Sequence, residues 1–147
     1  MPIKIEVRNC QRRVTIDTGK LEQAAAAVLH GEKVHHATIS LAVVADPAIH
    51  ALNKQYLDHD YPTDVLSFVL EDSDELLEGE VVVSIDTAER QAKEYAWSAE
   101  EELILYVIHG MLHLVGYDDH SDEDRGEMRR LEEQYLKSLG IVPPAQS

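Results

Sequence analysis

Cysteine is almost absent from this chain. Cys10 is the only one in 147 residues, so no internal disulfide can form. Long apolar runs are missing as well. Even a run such as Leu103 to Ile108, which no other exceeds, falls far short of the ~20 residues that span a bilayer, which excludes a transmembrane helix. The opening MPIKIEV alternates apolar and charged residues where a signal peptide needs a continuous apolar stretch, so the expected location is the cytoplasm, with no membrane partner. Basic residues are scarce too: 13 Lys and Arg stand against 28 Asp and Glu, a net charge of −15. Such a surface repels polyanions. Broad, sequence-independent nucleic-acid binding is thereby disfavoured, leaving a local basic cleft, a metal ion at the site, or a partner that brings the RNA. Repeats, linkers and low-complexity segments are also lacking, and the length suits one domain over 1–147 that buries about two thirds of its unfolded surface.

What is present reads as strands and helices in mixed order. IKIEV, 3–7, alternates as a strand. The stretch KLEQAAAAVLHGE, entered at Thr18 or Gly19, predicts a helix stopping at Gly31. ATISLAVVA, 37–45, is β-branched and apolar enough for a central strand. Asp46 and Pro47 are expected to cap and open a helix running to about Tyr56. YPTDVLSFVLE, 61–71, reads as a turn and then a strand, and EVVVSI, 80–85, as a buried strand, with the acidic EDSDELLEG between them expected to be a solvated loop. Helix signals return at Asp86. At Ser98, SAEE places Ser98 and Glu101 as a capping box, with Trp97 before it as a packing residue of the hydrophobic-staple kind. The following helix is apolar nearly all round from Leu103 to Val115, which predicts a buried central helix. A last helix opens at SDED, 121–124, presents Met128, Leu131, Tyr135 and Leu139 on one face, and ends at Gly140. Without strict βαβ alternation, this order predicts an α+β layered fold.

The central helix contains HGMLHLVGYDDH, 109–120. His109 and His113 lie four residues apart, on one helical face, where both imidazoles reach a single ion. Within so apolar a helix an unpaired imidazole nitrogen is costly. Hydrogen bonds to backbone or carboxylates are the ordinary remedy, but the continuation favours a metal. Gly116 can adopt the left-handed backbone that ends a helix and turns the chain back, which brings Asp118, Asp119 and His120 within reach. Two imidazoles plus a carboxylate or a third imidazole, with one position open, make the composition of a catalytic zinc site. HExxH proteases carry their glutamate base directly after the first histidine, and Gly110 stands there. A zinc peptidase would need a base from elsewhere, such as Asp118 or Glu80.

These residues resemble the YbeY endoribonucleases, the ribosomal RNA maturation factors whose signature is close to H-G-x-L-H-L-x-G-Y-D-H. YPTDVLSF, 61–68, is similar to that family's P-T-D/N-V-L-S-F segment, and GEVVVS, 79–84, to its G-D-I-x-I-S strand. The three segments occur in the family's order over about residues 40–140. The resemblance implies a small mixed β-sheet packed with helices and one divalent ion, zinc first among candidates, held by three ligands. It also implies metal-dependent cleavage of single-stranded RNA during 16S 3′-end maturation and ribosome quality control, with ribosomal RNA and the small subunit as partners. By position, His109 and His113 look like the first two ligands. The family's third histidine falls on Asp119, with His120 one residue later as the alternative.

The chain departs from the family at Leu57, where an arginine thought to contact RNA phosphate is usual. His59, nearby, is a solvated loop residue or a weak, pH-dependent substitute. Val69 replaces a common proline and Glu80 a common aspartate. Thr63, Asp64 and Ser67 are possible cleft residues beside the metal, or ordinary strand-entry hydrogen-bonding groups. Tyr117 is a base-stacking candidate or a ring packed at the helix end. A rival expectation from another class is a non-catalytic, metal-stabilised assembly factor whose acidic surface suits basic ribosomal proteins.

Overall fold

Alternating side chains build β1 (Ile3–Asn9), in which Ile3, Ile5 and Val7 pack on the core while Lys4 and Glu6 face solvent. The computed structural model describes residues 3–143. Helix α1 (Thr18–Gly31) is capped by Asp17, whose carboxylate accepts from the Gly19 amide at 3.0 Å. It buries Leu21, Ala24, Ala25, Val28 and Leu29. The chain continues through β2 (Ala37–Val44), α2 (Asp46–Leu57), β3 (Val65–Asp72), β4 (Leu77–Ser84), α3 (Ile85–Tyr95), α4 (Ala99–Leu114) and α5 (Asp122–Ser138). Among the described residues no helix is long and apolar enough to cross a membrane.

The four strands form one mixed sheet in the order β1-β2-β4-β3, parallel except for β3, which runs antiparallel to β4 at one edge. This is the α+β arrangement expected from the sequence. Ile39, Leu41, Val43, Val81 and Val83 join the main core with α1, α4 and α5. On the other face Ala42, Val44, Leu66 and Val82 pack with Ile49 of α2. The near-continuous apolar character of β2 and β4 follows from burial on both faces.

Three local expectations are corrected. The acidic stretch 71–79 is not a loop. Strand β3 continues to Asp72 and β4 starts at Leu77, with Glu71 opposite Glu78 and a bulge between Val69 and Glu71. Only a short turn remains, closed by Ser73, which accepts from the Leu76 amide at 3.2 Å. Backbone pairing is indifferent to side-chain polarity where the strands run out past the core. Asp46 does not cap its own helix: Ala45 holds the N-cap position without a side-chain bond. Instead the Asp46 carboxylate accepts from Ser84 Oγ at 2.6 Å and Thr87 Oγ1 at 3.0 Å and pairs with Arg90 at 2.9 Å, tying α2 to α3. Burial opposes its ionisation, but these partners prevail and hold its pKa below the usual value. Trp97 packs against the core as expected, but its contact with α4 is a polar one and not an apolar staple. Its indole N–H donates to Glu102 Oε1 at 2.9 Å, across the N′ and N4 positions of α4.

The capping box is present as expected, with the Glu101 amide donating to Ser98 Oγ at 3.1 Å and the Ser98 amide to Glu101 Oε1 at 3.0 Å. Helix α4 then crosses the middle of the molecule, burying Leu103, Ile104, Tyr106, Val107, Ile108, Met111, Leu112 and Leu114. Gly110 is what lets it lie so close to the sheet. A Cβ there would stand 2.6 Å from Val81 Cγ1 and 3.1 Å from Val65 Cγ2.

Candidate metal centre

The partly buried positions of α4 in this stretch recur every four residues at Leu105, His109 and His113, so the two histidines sit on the stripe that the core leaves uncovered. Gly116, at φ +109°, reverses the chain. The Tyr117 amide donates to the Leu112 carbonyl at 3.0 Å, and Arg125 donates to the Asp119 carbonyl at 3.1 Å, holding the returning loop. The turn delivers Asp119 to the histidines.

His109 Nε2 and His113 Nε2 are 3.1 Å apart, and Asp119 Oδ2 lies 3.9 Å and 3.7 Å from them. These three residues form one group capable of holding a metal ion. His120 is not part of it; its amide donates to Asp118 Oδ1 at 3.4 Å and its side chain is exposed. Ligands at about 2.0–2.2 Å on tetrahedral corners stand roughly 3.3–3.6 Å apart, so the observed spacing suits one ion.

Both rings are fixed through their other nitrogens. His109 Nδ1 is 2.7 Å from Glu132 Oε2, and His113 Nδ1 is 3.0 Å from the Tyr117 carbonyl. A carbonyl can only accept, so His113 carries its proton on Nδ1 and turns the Nε2 lone pair toward His109. With Glu132 likewise accepting a hydrogen bond from Nδ1–H of His109, two Nε2 lone pairs and a carboxylate converge on one point. A metal ion suits that arrangement. Burial alone would lower the pKa of His109, but Glu132, with further help from Asp64 and Asp119, outweighs it and raises the value. Burial and the neighbouring His109 charge lower that of His113.

The remaining singled-out residues have identifiable places. Ser67 Oγ donates to the Gly110 carbonyl at 3.0 Å, docking α4 on β3. Asp64 accepts from the Val65 amide at 2.8 Å and from Thr63 Oγ1 at 3.2 Å, and its charge acts on His109. Leu57 is exposed at the end of α2. His59 stacks on Tyr61 with ring centroids 5.3 Å apart. Tyr117 is anchored: its hydroxyl donates to Glu32 Oε1 at 2.7 Å, and the Tyr135 hydroxyl donates to the other oxygen of the same carboxylate. Gly31 makes room, since a Cβ there would collide with the Tyr135 ring.

Sequence reasoning missed Glu132 and Glu32. Glu132 had a detectable signal. It follows Met128 by four residues and precedes Tyr135 by three, placing it at the margin of the buried face of α5. Glu32 had none, being 85 residues from Tyr117.

The family model described as Endoribonuclease YbeY matches residues 6–140. An Endoribonuclease YbeY from Pelotomaculum thermopropionicum is 43% identical, over 97% of this chain and 99% of that protein. Another from Salinibacter ruber is 40% identical, over 97% of this chain and 94% of that one. Among solved structures, a solution structure of a Thermotoga maritima protein superposes with a TM-score of 0.65 at 30% identity, covering 92% of this chain and 88% of the other. With near full-length matches on both sides and the HxxxH helix, Gly116 turn and Asp119 in one place, the chain belongs to the YbeY endoribonuclease family.

Proposed function

We propose that this protein is a metal-dependent endoribonuclease that cleaves single-stranded RNA in 16S 3′-end maturation and ribosome quality control, with zinc bound by His109, His113 and Asp119. The observation that carries the reading is the convergence of two Nε2 atoms and one carboxylate oxygen while both Nδ1 atoms are engaged elsewhere. Three ligands leave a zinc ion an open position. A divalent ion there supplies Lewis acidity toward a phosphoryl oxygen or makes water a usable nucleophile near neutral pH. Glu132 and the Tyr117 carbonyl keep both rings oriented. The tight contact of Gly110 with Val81 speaks against a glutamate base at the HExxH position, so a peptidase would need its base from elsewhere, such as Asp118 or Glu80.

The exposed Leu57 and the net charge of −15 favour a second reading, a factor that works on the small subunit with a partner supplying positive charge. The deciding experiment is cleavage of single-stranded RNA spanning a 16S 3′ end by the purified, metal-loaded protein, with His113→Ala as control. Cleavage lost in the variant supports the nuclease. Absence of cleavage by fully metallated wild type supports the non-catalytic assembly factor or an enzyme that needs a partner on the small subunit, and a fourth protein ligand on the bound ion supports the non-catalytic factor.

A further inference from the structure

On the N-terminal side of His109 the α4 stripe passes Leu105 and reaches two adjoining cavities. One, of about 560 Å³, is lined by Tyr95, Trp97, Leu105, Arg129, Glu132 and Lys137, among others. The second, of about 370 Å³, takes in Thr63, Asp64, Arg90 and Tyr106. Tyr95, Glu102 and Leu105 line both, so the two form one groove along α4. Glu132 connects that groove to the metal centre, because the same side chain bonds His109.

The groove's charges are unevenly committed. Glu132 is engaged by His109. Glu102 is buried, receives the Trp97 indole N–H, and has its pKa raised by burial. Arg90 is paired with Asp46. The Arg129 and Lys137 side chains make no hydrogen bond or ion pair with another described residue, which leaves two uncommitted cations on one wall beside one uncommitted carboxylate, Glu133, and the engaged Glu102 and Glu132. In a chain of net charge −15 such a wall marks a place for an anionic ligand. The Tyr106 hydroxyl, in a residue only 5% exposed, lies beside the Glu102 carboxylate, and burial together with that charge raises its pKa. Tyr95, 39% exposed, offers a ring face where the cavities meet.

Building on the endoribonuclease reading, we propose that this groove binds the nucleotides flanking the scissile bond of a single-stranded RNA, with Arg129 and Lys137 on its phosphates and Tyr95 stacked on a base. Guanidinium and ammonium groups bind phosphate through charge-assisted hydrogen bonds, and an aromatic ring accepts any base that is free of a duplex stack. The cavity size is that of ordinary small-ligand sites. Helix α5 thereby supplies the phosphate contacts that Leu57 cannot make from α2.

Trp97 is the single tryptophan of the chain and lines the larger cavity, so its fluorescence reports entry of a ligand. The test titrates the metal-loaded protein with a short single-stranded RNA while following that signal. Wild type is expected to show saturable quenching. The double variant Arg129→Ala, Lys137→Ala is expected to need at least about tenfold more RNA for half-saturation, and to lose about 1.4 from the slope of log affinity against log salt, roughly 0.7 per phosphate contact. The charge-preserving pair Arg129→Lys, Lys137→Arg should retain most binding, and metal content should be equal in all three. A double variant that binds with wild-type affinity and slope, while wild type cleaves RNA, overturns the groove proposal alone. Metal-loaded wild type that neither binds nor cleaves RNA overturns the endoribonuclease reading and the groove together.

Discussion

Glu132 of α5 holds His109 of α4: their Oε2 and Nδ1 atoms are 2.7 Å apart, and the carboxylate fixes both the tautomer and the direction of the Nε2 lone pair. Partners of metal-bound imidazoles commonly contribute 10–100-fold to affinity. Glu132→Ala is therefore expected to weaken metal binding by about that factor, measured by competition with a chromophoric chelator. Unchanged affinity would show that the α4 helix alone orients the ring.

Asp119 and His120 compete in the sequence for the third ligand, and the geometry separates them. Asp119→Ala is expected to reduce metal affinity by more than the roughly 10–100-fold of an outer-sphere change. His120→Ala should leave it unaltered. Metal content after dialysis against a weak chelator distinguishes the two, and loss in His120→Ala would reverse the assignment.

Glu32 reaches the site through Tyr117, whose hydroxyl it accepts and whose carbonyl supports His113. The carboxylate also raises the pKa of the Tyr117 hydroxyl. Glu32→Ala removes the acceptor for two tyrosines and should cost about 1–3 kcal/mol of stability. It should also lower the pH at which Tyr117 ionises, visible in the ultraviolet absorbance titration. A variant that loses stability without any change in that titration would contradict the contact.

Glu102 is buried and its pKa is raised above 4.5, chiefly by desolvation. The folded state then binds its proton more tightly than the unfolded state. Its contribution is fully present below the unfolded value and is lost as pH rises through the folded one. Glu102→Gln, which still accepts from the Trp97 indole, should consequently be more stable than wild type at neutral pH, by on the order of 1 kcal/mol, with the advantage shrinking as pH falls toward 4.5. Urea denaturation at several pH values reads this directly, and an advantage growing toward acid would contradict it.

Gly110→Ala replaces a poor helix former by a good one, a gain of ~1 kcal/mol in an open helix. Here the added methyl group meets Val81 Cγ1 at 2.6 Å in the core. Overpacking of this kind costs roughly 1–3 kcal/mol, so the net expectation is a lower melting temperature, together with weaker metal binding because His109 is the adjacent residue. A higher melting temperature would mean that the sheet yields easily.

The parts of the fold readable from sequence were those with short-range causes. The Ser98 and Glu101 capping box, the HxxxH spacing and the Gly116 reversal each depend on residues within a few positions, and each stands where the pattern put it. Asp46 was misread because its real partners, Ser84, Thr87 and Arg90, are about 40 residues away. Capping propensity had no access to that competition. The 71–79 stretch misled for another reason. Polarity there reports exposure of the side chains, whereas the ladder is made by the backbone.

That hairpin has a consequence for self-association. Strand β3 is an open edge, and Val69 and Leu70 are exposed on it. An apolar edge of this kind is a template onto which another chain can add a strand. The bulge after Val69 breaks the regular ladder there, and Glu71 and Asp72 put like charges where a second copy would have to dock in register. The acidic run thus acts as a gatekeeper against edge-to-edge polymerisation, guarding the strand that lies alongside α4.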